Sequence, residues 1–305
     1  HLDLPRLFAP TLDRVPGLRV YAPADVPDPT RIRFALAWRP GPHAFDPFAG
    51  LSLVQSIASG VDGILSSASL PERAQVARVR DPGQAHVMAG FAVWHVVWHH
   101  RGMGNYVRNA ADGEWKRTSF GALVPRADLT VGILGYGLMG RTIAEAVAKL
   151  GFNVIAASNT DRDGTAGVQV VSGADACQIV AAKADFLINV LPLTHATRGL
   201  IDADFLRLMK TGAVLIHLGR GEHVIEDDLL AALEQGHIGG ASLDVFSTEP
   251  LPQDHPFWRH PKVLVTPHEA SVLPAAAVVT SLQQSLHETQ AGLPLSTGVD
   301  RRKGY

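Results

Sequence analysis

Residues 131–140 read VGILGYGLMG, an apolar run that ends in three glycines, Gly135, Gly137 and Gly140. Continuous apolar runs of this length are typical of strands buried on both faces of a parallel sheet. The next residues, RTIAEAVAKL (141–150), repeat apolar side chains at helical spacing, and GFNVIAAS (151–158) predicts a second strand. The stretch therefore predicts a strand–helix–strand unit of a doubly wound α/β fold.

The three glycines have the spacing Gly-x-Gly-x-x-Gly, which suits a turn that binds a dinucleotide. The first glycine permits a tight turn, the second lets the main chain approach a pyrophosphate, and the third lets the helix pack closely on the strand. The N–H groups of Leu138, Met139 and Gly140 would face the phosphates at the start of the helix. A plain strand–turn–helix can use such glycines for packing alone, so this pattern by itself leaves both interpretations open.

Composition and charge limit the kind of partner. With 305 residues the chain is long enough for two domains, and 46% hydrophobic with 18% charged residues indicates a globular protein. A net charge of -2 offers no basic surface for nucleic acid or for an anionic membrane. No segment reaches the roughly 18 uninterrupted apolar residues of a membrane span. We therefore predict a cytoplasmic protein that acts on a small molecule and has neither a nucleic acid nor a membrane as its partner.

The sequence predicts no metal site and no disulfide. Cys177 is the single cysteine and lies in an apolar helical pattern, so we expect a buried core thiol. His95, His99 and His100 lie in one long predicted helix, roughly 83–110, where the first two are one turn apart as zinc ligands could be. No acidic side chain nearby completes such a site, so interior or interface roles are favoured for these histidines.

The rest of the chain alternates short apolar runs with helical stretches. Before residue 125 the predicted strands or strand neighbours of a small α/β unit are LRVY (18–21), IRFALAW (32–38), LSLVQSIA (51–58) and GILSS (63–67). Later predicted strands are DFLINVLP (185–192), AVLIHLG (213–219), GASLDVF (240–246) and KVLVTPH (262–268). Predicted helices are EDDLLAALEQG (226–236) and LPAAAVVTSLQQSLHETQAGLP (273–294). This alternation predicts a doubly wound parallel sheet.

Three side chains follow predicted strands, where open parallel sheets bind their ligands: Arg220, Glu249 and His268. Arg220 can hold a carboxylate with its planar fork and polarise the neighbouring carbonyl. His268 can protonate the carbonyl oxygen while a nicotinamide delivers hydride to the carbon, and ionised Glu249 beside it would favour the charged ring. This set predicts the reduction of a 2-oxo acid. The alternative is a surface pair of Arg220 with Glu249, and a capping role for His268.

Three longer segments carry a resemblance to a known family: LGYGLMGRTIAEAVAKLGFNV (134–154), LPLTHATRGLI (191–201) and HLGRGEHVIEDDLLAALEQGHIGGASLDVFSTEPLPQDHPFWRHPKVLVTPH (217–268). Together they resemble the D-2-hydroxyacid dehydrogenase family over about residues 50–272. LAWRPGP (36–42), SGVD (59–62) and HPFWRHP (255–261) are most similar to its glyoxylate/hydroxypyruvate reductase branch.

The resemblance implies a fold and an assembly. A Rossmann-type doubly wound parallel sheet would be inserted in a second, smaller flavodoxin-like α/β domain. The expected substrate domain is discontinuous, 1–97 and 272–305, and the dinucleotide-binding domain is 98–271. A homodimer is also implied.

The resemblance also implies roles for single residues. The catalytic set would be Arg220, Glu249 and His268. Together with the glycine-rich turn and the end of the next strand, the expected cofactor-binding residues are Gly135, Gly137, Leu138, Met139, Gly140, Ser158, Asn159, Arg162, Leu191, Pro192, Thr197, Leu218, Gly219 and Asp244. The expected substrate-binding residues are Trp38, Gly60, Val61, Arg220 and His268. Asp244 would hold the nicotinamide carboxamide and Trp38 would cover a small pocket, although Asp244 could be a strand-end cap and Trp38 ordinary core.

The cofactor and the substrate are less sharply specified. The carboxylate that binds a ribose 2′-hydroxyl would fall on Ser158, so its absence, with Arg162 further along, predicts NADP as the preferred cofactor. Neutral Ser158 and Asn159 could also admit NAD. Ala58, Ser59 and Gly90 depart from the family pattern and put the exact substrate in doubt. The alternative function is a non-catalytic nicotinamide-dinucleotide-sensing corepressor or scaffold, because a fold alone does not define a function.

Overall fold

The computed structural model describes residues 4–12, 15, 18–117 and 123–304, and the chain divides into two compact units. Unit 1 combines His1–Asp81 with Leu273–Tyr305, and unit 2 is Pro82–Val272. The first boundary between the two units therefore lies at residues 81/82, whereas the sequence predicted it at 97/98. The helix that begins at Pro82 belongs to unit 2 because Met88, Ala89, Ala92 and Val96 pack into the core of that unit.

Unit 1 contains a three-stranded parallel sheet with the order β1-β2-β3. Its elements are α1 (Leu4–Leu12), β1 (Phe34–Ala37), β2 (Leu53–Ser56), α2 (Asp62–Leu65), β3 (Gln75–Ala77) and, from the end of the chain, α9 (Ala275–Gln290). Alternate side chains of β2 enter different cores: Leu53 packs with Val278 and Leu282 of α9, whereas Val54 packs with Ile64 of α2. The sheet is therefore covered on both faces.

Two of the segments predicted as strands or strand neighbours in unit 1 are not strands. LRVY (18–21) forms no strand, because its Val20 and Tyr21 are each 39% exposed and have no apolar face to bury. GILSS (63–67) lies in α2 and the turn after it, where Ile64 is buried against the sheet. The strand β3 was not predicted, because three residues are too few to show a period.

Unit 2 contains a seven-stranded sheet in which every neighbouring pair is parallel. Its elements are α3 (Pro82–His100), α4 (Met103–Ala111), β4 (Thr130–Leu134), α5 (Leu138–Ala148), β5 (Asn153–Ser158), β6 (Val168–Ser172), α6 (Ala176–Lys183), β7 (Phe186–Asn189), α7 (Ala203–Leu208), β8 (Val214–His217), α8 (Glu226–Glu234), β9 (Gly240–Leu243) and β10 (Val263–Val265). The strand order is β10-β9-β8-β7-β4-β5-β6.

The sheet of unit 2 is doubly wound, as the sequence predicts. Leu215 faces one core with residues of α6, α7 and α8, while its neighbours Val214 and Ile216 face another with residues of α3 and α5. Burial on both faces explains why the strands read as unbroken apolar runs. The strand β6 was not predicted, and the predicted single helix over 83–110 is two helices, because the left-handed Gly102 (φ 60°) lies between α3 and α4.

His95 and His99 of α3 have interior roles. The Oγ of Ser242 in β9 lies 2.8 Å from His95 Nδ1 and 2.8 Å from His99 Nε2. Across the ranges that the structure describes, no group of three or more His, Cys, Asp or Glu side chains is arranged to hold a metal ion. The helices within the same ranges include none with the length and apolar character to span a membrane. Cys177 packs against the core, and its desolvation there raises the pKa of the thiol to about 11.

Candidate active site

The candidate site residues of unit 2 lie along one edge of its sheet. Parallel strands all end at the same edge, so the residues that follow them are brought together. Those residues are Gly135 after β4, Ser158 at the end of β5, Leu191 after β7, Arg220 after β8, Asp244 after β9 and His268 after β10. Ladder-like hydrogen bonds continue past the strands, as from Asp244 N–H to His217 O at 3.1 Å.

The glycine-rich turn has the geometry that a pyrophosphate requires. Gly135 has a left-handed φ of 100°, and a Cβ on Gly140 would collide with the carbonyl oxygen of Gly135. Gly137 differs, because it is exposed and a Cβ there would meet no atom within 4 Å. No side chain caps the start of α5, so the open main chain at Gly137 and the N–H groups of Leu138 and Met139 fit a phosphate group.

The end of β5 carries no acidic side chain. Ser158 Oγ donates to Thr160 O at 2.7 Å, and Arg162 Nε donates to Thr160 Oγ1 at 3.3 Å. Asn159 and Arg162 are exposed. A surface hollow of about 570 Å³ adjoins them and is lined by Asp161, Arg162, Asp163, Val170 and Ser172. The hollow is thus lined by one guanidinium and two carboxylates.

The loop after β7 is closed by its own polar groups. Thr197 Oγ1 donates to Pro192 O at 2.7 Å and accepts the N–H of Thr194 at 2.8 Å. Leu191 is buried in the core of unit 2. Leu218, after β8, is also buried, and it donates its N–H to Asn189 O at 3.0 Å. These contacts hold both predicted cofactor segments against the sheet edge.

Glu249 and His268, two of the predicted catalytic residues, form a hydrogen-bonded pair. His268 Nδ1 lies 3.0 Å from Glu249 Oε2, and the N–H of Phe246 donates to Glu249 Oε1 at 3.1 Å. Because a carboxylate can only accept, His268 Nδ1 carries a hydrogen and Nε2 is the nitrogen left to exchange a proton. The ring is oriented by the carboxylate, as catalytic imidazoles are in other enzymes.

Asp244 holds the turn that presents His268. The Asp244 carboxylate accepts the hydroxyl of Thr266 at 2.6 Å and the N–H groups of Glu269 and Ala270 at 2.8 Å each. His268 itself has a left-handed φ of 60°, and its N–H donates to Asp244 O at 2.8 Å. A left-handed main chain is uncommon for a residue other than glycine and needs such support. Asp244 therefore acts at least as a strand-end clamp.

Arg220 is joined to the segment that carries Glu249. A Cβ on Gly221 would collide with the main chain of Phe246, so the residue after Arg220 packs directly on the loop that Glu249 closes. The guanidinium of Arg220 also donates to Gly219 O at 2.8 Å. The arginine and the histidine–glutamate pair are thereby fixed to neighbouring strand ends of one unit.

Three polar residues behind Arg220 were missed by the sequence predictions. The side-chain amide of Asn189 lies 3.2 Å from His217 Nδ1 and 3.1 Å from His223 Nδ1. His217 Nε2 lies 2.8 Å from Arg220 O, and His223 Nδ1 accepts the N–H of Arg220 at 3.1 Å. All three are buried. The sequence contained a signal for two of these residues, because Asn189 and His217 are polar residues that end two otherwise apolar strands.

Buried imidazoles in unit 2 should make the protein sensitive to mild acid. Desolvation lowers the pKa of His95 and of His99 to about 4, and that of His217 to about 3. In the unfolded chain each would titrate near 6.5, so between about pH 6.5 and 4 only the unfolded state takes up these protons. The free energy of unfolding should therefore fall with falling pH, by up to about 1.4 kcal/mol per pH unit for each histidine.

Urea unfolding at pH 6.5, 6.0, 5.5 and 5.0 measures this slope. His217→Gln should reduce it by up to about 1.4 kcal/mol per pH unit, because one titrating group is removed from the unfolded state. An equal slope in this variant and in the wild type would show that His217 is not held neutral.

The predicted site residues of unit 1 are Trp38, Gly60 and Val61. Trp38 is partly buried and packs against the core that β2 and α9 share. Gly60 O accepts the hydroxyl of Ser56 at 2.7 Å. Within the part of the chain that the structure describes, the N–H groups of Gly60 and Val61 donate no hydrogen bond. Their role toward a substrate carboxylate stays a prediction.

Comparison with known proteins identifies the family of the chain. The family model described as "D-isomer specific 2-hydroxyacid dehydrogenase, NAD binding domain" matches residues 93–270. The chain thus belongs to the D-isomer specific 2-hydroxyacid dehydrogenase family and is an enzyme of that family, with a nicotinamide-dinucleotide-binding domain in its second unit.

Individual relatives are similar over nearly the whole chain. The glyoxylate/hydroxypyruvate reductase A of Serratia proteamaculans is 37% identical over 280 residues, which are 89% of this chain and 87% of the relative. A D-isomer specific 2-hydroxyacid dehydrogenase from Xanthobacter autotrophicus, solved with NADPH and MES, has a TM-score of 0.91 at 34% identity and covers 100% of this chain and 97% of its own. The NADPH-dependent glyoxylate/hydroxypyruvate reductase of Sinorhizobium meliloti, solved with NADP and sulfate, has a TM-score of 0.91 at 32% identity and covers 99% and 96%.

Proposed function

We propose that this enzyme reduces small 2-oxo acids of the glyoxylate and hydroxypyruvate type to D-2-hydroxy acids, with NADPH as the preferred reductant. The observation that carries the proposal is the His268–Glu249 pair, 3.0 Å apart, at the strand edge that also presents Arg220 and the open main chain of Gly137. The reductase names of the relatives support this substrate class. Unit 2 would be the dinucleotide-binding domain and unit 1 the substrate domain.

The residues divide the reaction among them. When bound, the reduced nicotinamide supplies the hydride to the carbonyl carbon. Arg220 would hold the substrate carboxylate with two parallel hydrogen bonds and polarise the adjacent carbonyl. His268 would give the proton on Nε2 to the carbonyl oxygen, so that a ketone becomes a secondary alcohol and glyoxylate becomes a primary one. Glu249 would keep the ring oriented through Nδ1 and stabilise its protonated form.

The decisive experiment is a substrate screen with a purified protein. Glyoxylate, hydroxypyruvate and phenylpyruvate are each mixed with NADPH, and the loss of reduced-nicotinamide absorbance is followed. We expect turnover with the first two and little with phenylpyruvate, because Trp38 would cover a small pocket. An equal kcat/KM for phenylpyruvate would refute the size preference. A D configuration at the stereocentre that the reduction of hydroxypyruvate creates would support the family assignment.

The alternative that the sequence left open, a non-catalytic sensor of nicotinamide dinucleotides that acts as a corepressor or scaffold, is disfavoured because the chain belongs to a family of enzymes. It predicts NADPH binding without turnover of any 2-oxo acid in the screen. The complete set of Arg220, Glu249 and His268 favours the enzyme, because sensing alone requires none of these side chains at the sheet edge.

Cofactor preference should depend on the end of β5. A 2′-phosphate would be repelled by a carboxylate at the position of Ser158 and attracted by the guanidinium of Arg162. We expect kcat/KM to be higher with NADPH than with NADH, and Arg162→Gln to lower it with NADPH by about tenfold, equivalent to one lost charge-assisted hydrogen bond. NADH should be used equally well by both proteins. An NADH efficiency tenfold above that of NADPH would contradict this assignment.

The homodimer is also a proposal, and unit 2 offers a surface for it. Large apolar side chains of α3, α4 and the segment after them are exposed: Val87 by 49%, Trp94 by 48%, Val107 by 56% and Trp115 by 92%. Exposed aromatic and other large apolar side chains are enriched at protein interfaces.

Light scattering during size exclusion tests the assembly. We expect about twice the chain mass of 32.6 kDa for the wild type and a shift toward the single-chain mass for Trp94→Glu. Ile179→Glu, on the exposed side of α6, is the matched control and should keep the dimer. A wild-type protein that runs as a monomer would refute the proposal.

The cytoplasmic location is a further prediction from the sequence.

A further inference from the structure

We propose that Asn189, His217 and His223 form a positioning network that fixes the main chain of Arg220 through a single arrangement of hydrogen atoms. The inference rests on the proposed function of Arg220 as the group that holds the substrate carboxylate. His217 and His223 are positioning residues here, because each acts through Arg220 and neither is proposed to contact the substrate.

The main-chain partners determine every donor and acceptor in this network. The N–H of Leu191 donates to Asn189 Oδ1 at 3.1 Å, so the Asn189 amide must present its NH₂ group to the two imidazoles. His217 Nε2 faces Arg220 O at 2.8 Å, and a carbonyl only accepts, so Nε2 carries the hydrogen. His217 Nδ1 is then the acceptor for the Asn189 amide at 3.2 Å.

The second imidazole has the same arrangement. His223 Nε2 faces Pro192 O at 3.2 Å, so it is the donor, while His223 Nδ1 accepts the N–H of Arg220 at 3.1 Å and the Asn189 amide at 3.1 Å. Gly219 allows this approach, since a Cβ there would lie 2.9 Å from His223 Nδ1. Both polar groups of the Arg220 peptide backbone, its N–H and its C=O, therefore end on a buried histidine.

The network suits a group that must stay still. All three side chains are fully or almost fully buried, and a buried donor or acceptor that loses its partner is costly, so the arrangement resists partial opening. Burial also lowers the pKa of His217 to about 3, which keeps its ring neutral and its Nδ1 available as an acceptor. The buried histidines thus hold the main chain of Arg220 and thereby determine the direction of its side chain.

Two matched substitutions test the bond from His217 to Arg220 O. Gln can place an NH₂ group near the position of His217 Nε2 and keep that bond, whereas Asn reaches only the position of Nδ1 and loses it. We expect His217→Asn to raise KM for glyoxylate by about tenfold, the loss expected for one buried hydrogen bond, and to leave the Kd for NADPH unchanged. His217→Gln should remain within about threefold of the wild type, and unfolding midpoints are measured for both.

A double-mutant cycle separates positioning from general damage. If His217 acts through the two-point grip of Arg220, then His217→Asn should change kcat/KM by less than about threefold in an Arg220→Lys background, where that grip is already lost. Equal effects of His217→Asn in both backgrounds, or equal effects of the Asn and Gln variants, would overturn the inference.

Nitrogen NMR of the wild-type protein provides a test that needs no variant. Both His217 and His223 should show a protonated Nε2 and an unprotonated Nδ1 at neutral pH. A protonated Nδ1 on either ring would overturn the network. A wild-type protein that binds NADPH but reduces no 2-oxo acid would instead refute the proposed function, and the NMR result would still decide the hydrogen arrangement.

Discussion

Replacing His268 by Gln should lower kcat for 2-oxo acid reduction by about 10²–10⁴, the usual loss for a missing general acid. Gln reaches the position of His268 Nε2 rather than that of Nδ1, so the bond to Glu249 is lost as well, while the N–H of Phe246 still binds Glu249. The amide of Gln cannot release a proton to the carbonyl oxygen. The Kd for NADPH, measured by protein fluorescence, should change little, because no predicted cofactor contact is removed.

His237→Gln is the matched control for this prediction. His237 is also a hydrogen-bonded histidine of unit 2, with Nε2 at 3.0 Å from Leu206 O. His237 precedes β9, whereas His268 follows β10. Because all strands of the sheet are parallel, the two histidines lie at opposite ends of the strands. Activity in the control should match the wild type. Reduction at the wild-type rate by His268→Gln across the pH range would remove His268 from the mechanism.

Two single substitutions in the glycine-rich turn should distinguish its role in folding from its role in cofactor binding. Gly140→Ala should lower the free energy of unfolding by about 1–3 kcal/mol or more and abolish tight NADPH binding, because the new Cβ collides with Gly135 O and displaces the turn. Gly137→Ala should keep the stability within about 0.5 kcal/mol, since a Cβ there meets no atom within 4 Å and its φ of -81° suits alanine.

Gly137→Ala should nevertheless weaken NADPH binding by at least about tenfold, because the methyl group would occupy the space through which the pyrophosphate approaches the main chain. Denaturant unfolding and NADPH titration of both variants provide the measurements. If Gly137→Ala bound NADPH as tightly as the wild type, the open face of the turn would not be the phosphate site.

Unit 2 was the easier part to predict from the sequence. Its central strands are buried on both faces, so they appear as unbroken apolar runs, and the residue after each run falls at a known edge of the sheet. Arg220 and His268 could be found in this way, and Glu249 three residues beyond Phe246.

Other features could not be inferred because their signal is not local. The strand β3 is three residues long, and α2 is a single turn, so neither shows a period. The boundary between the units depends on the packing of Met88 and Val96 into the core around α5, which is a long-range contact. Asn189, His217 and His223 come from two strands and a turn, and only the folded sheet brings them to the same peptide group.

The hydrogen bonds of Asp244 hold the turn of His268, the proposed general acid, independently of the strand β10 that precedes it. β10 is a three-residue strand at the outer edge of the sheet, where local unfolding requires the least free energy. The N–H groups of His268, Glu269 and Ala270 are held instead by Asp244, on the interior strand side. We therefore expect that β10 can unfold locally while the turn that carries His268, the proposed proton donor, stays in place.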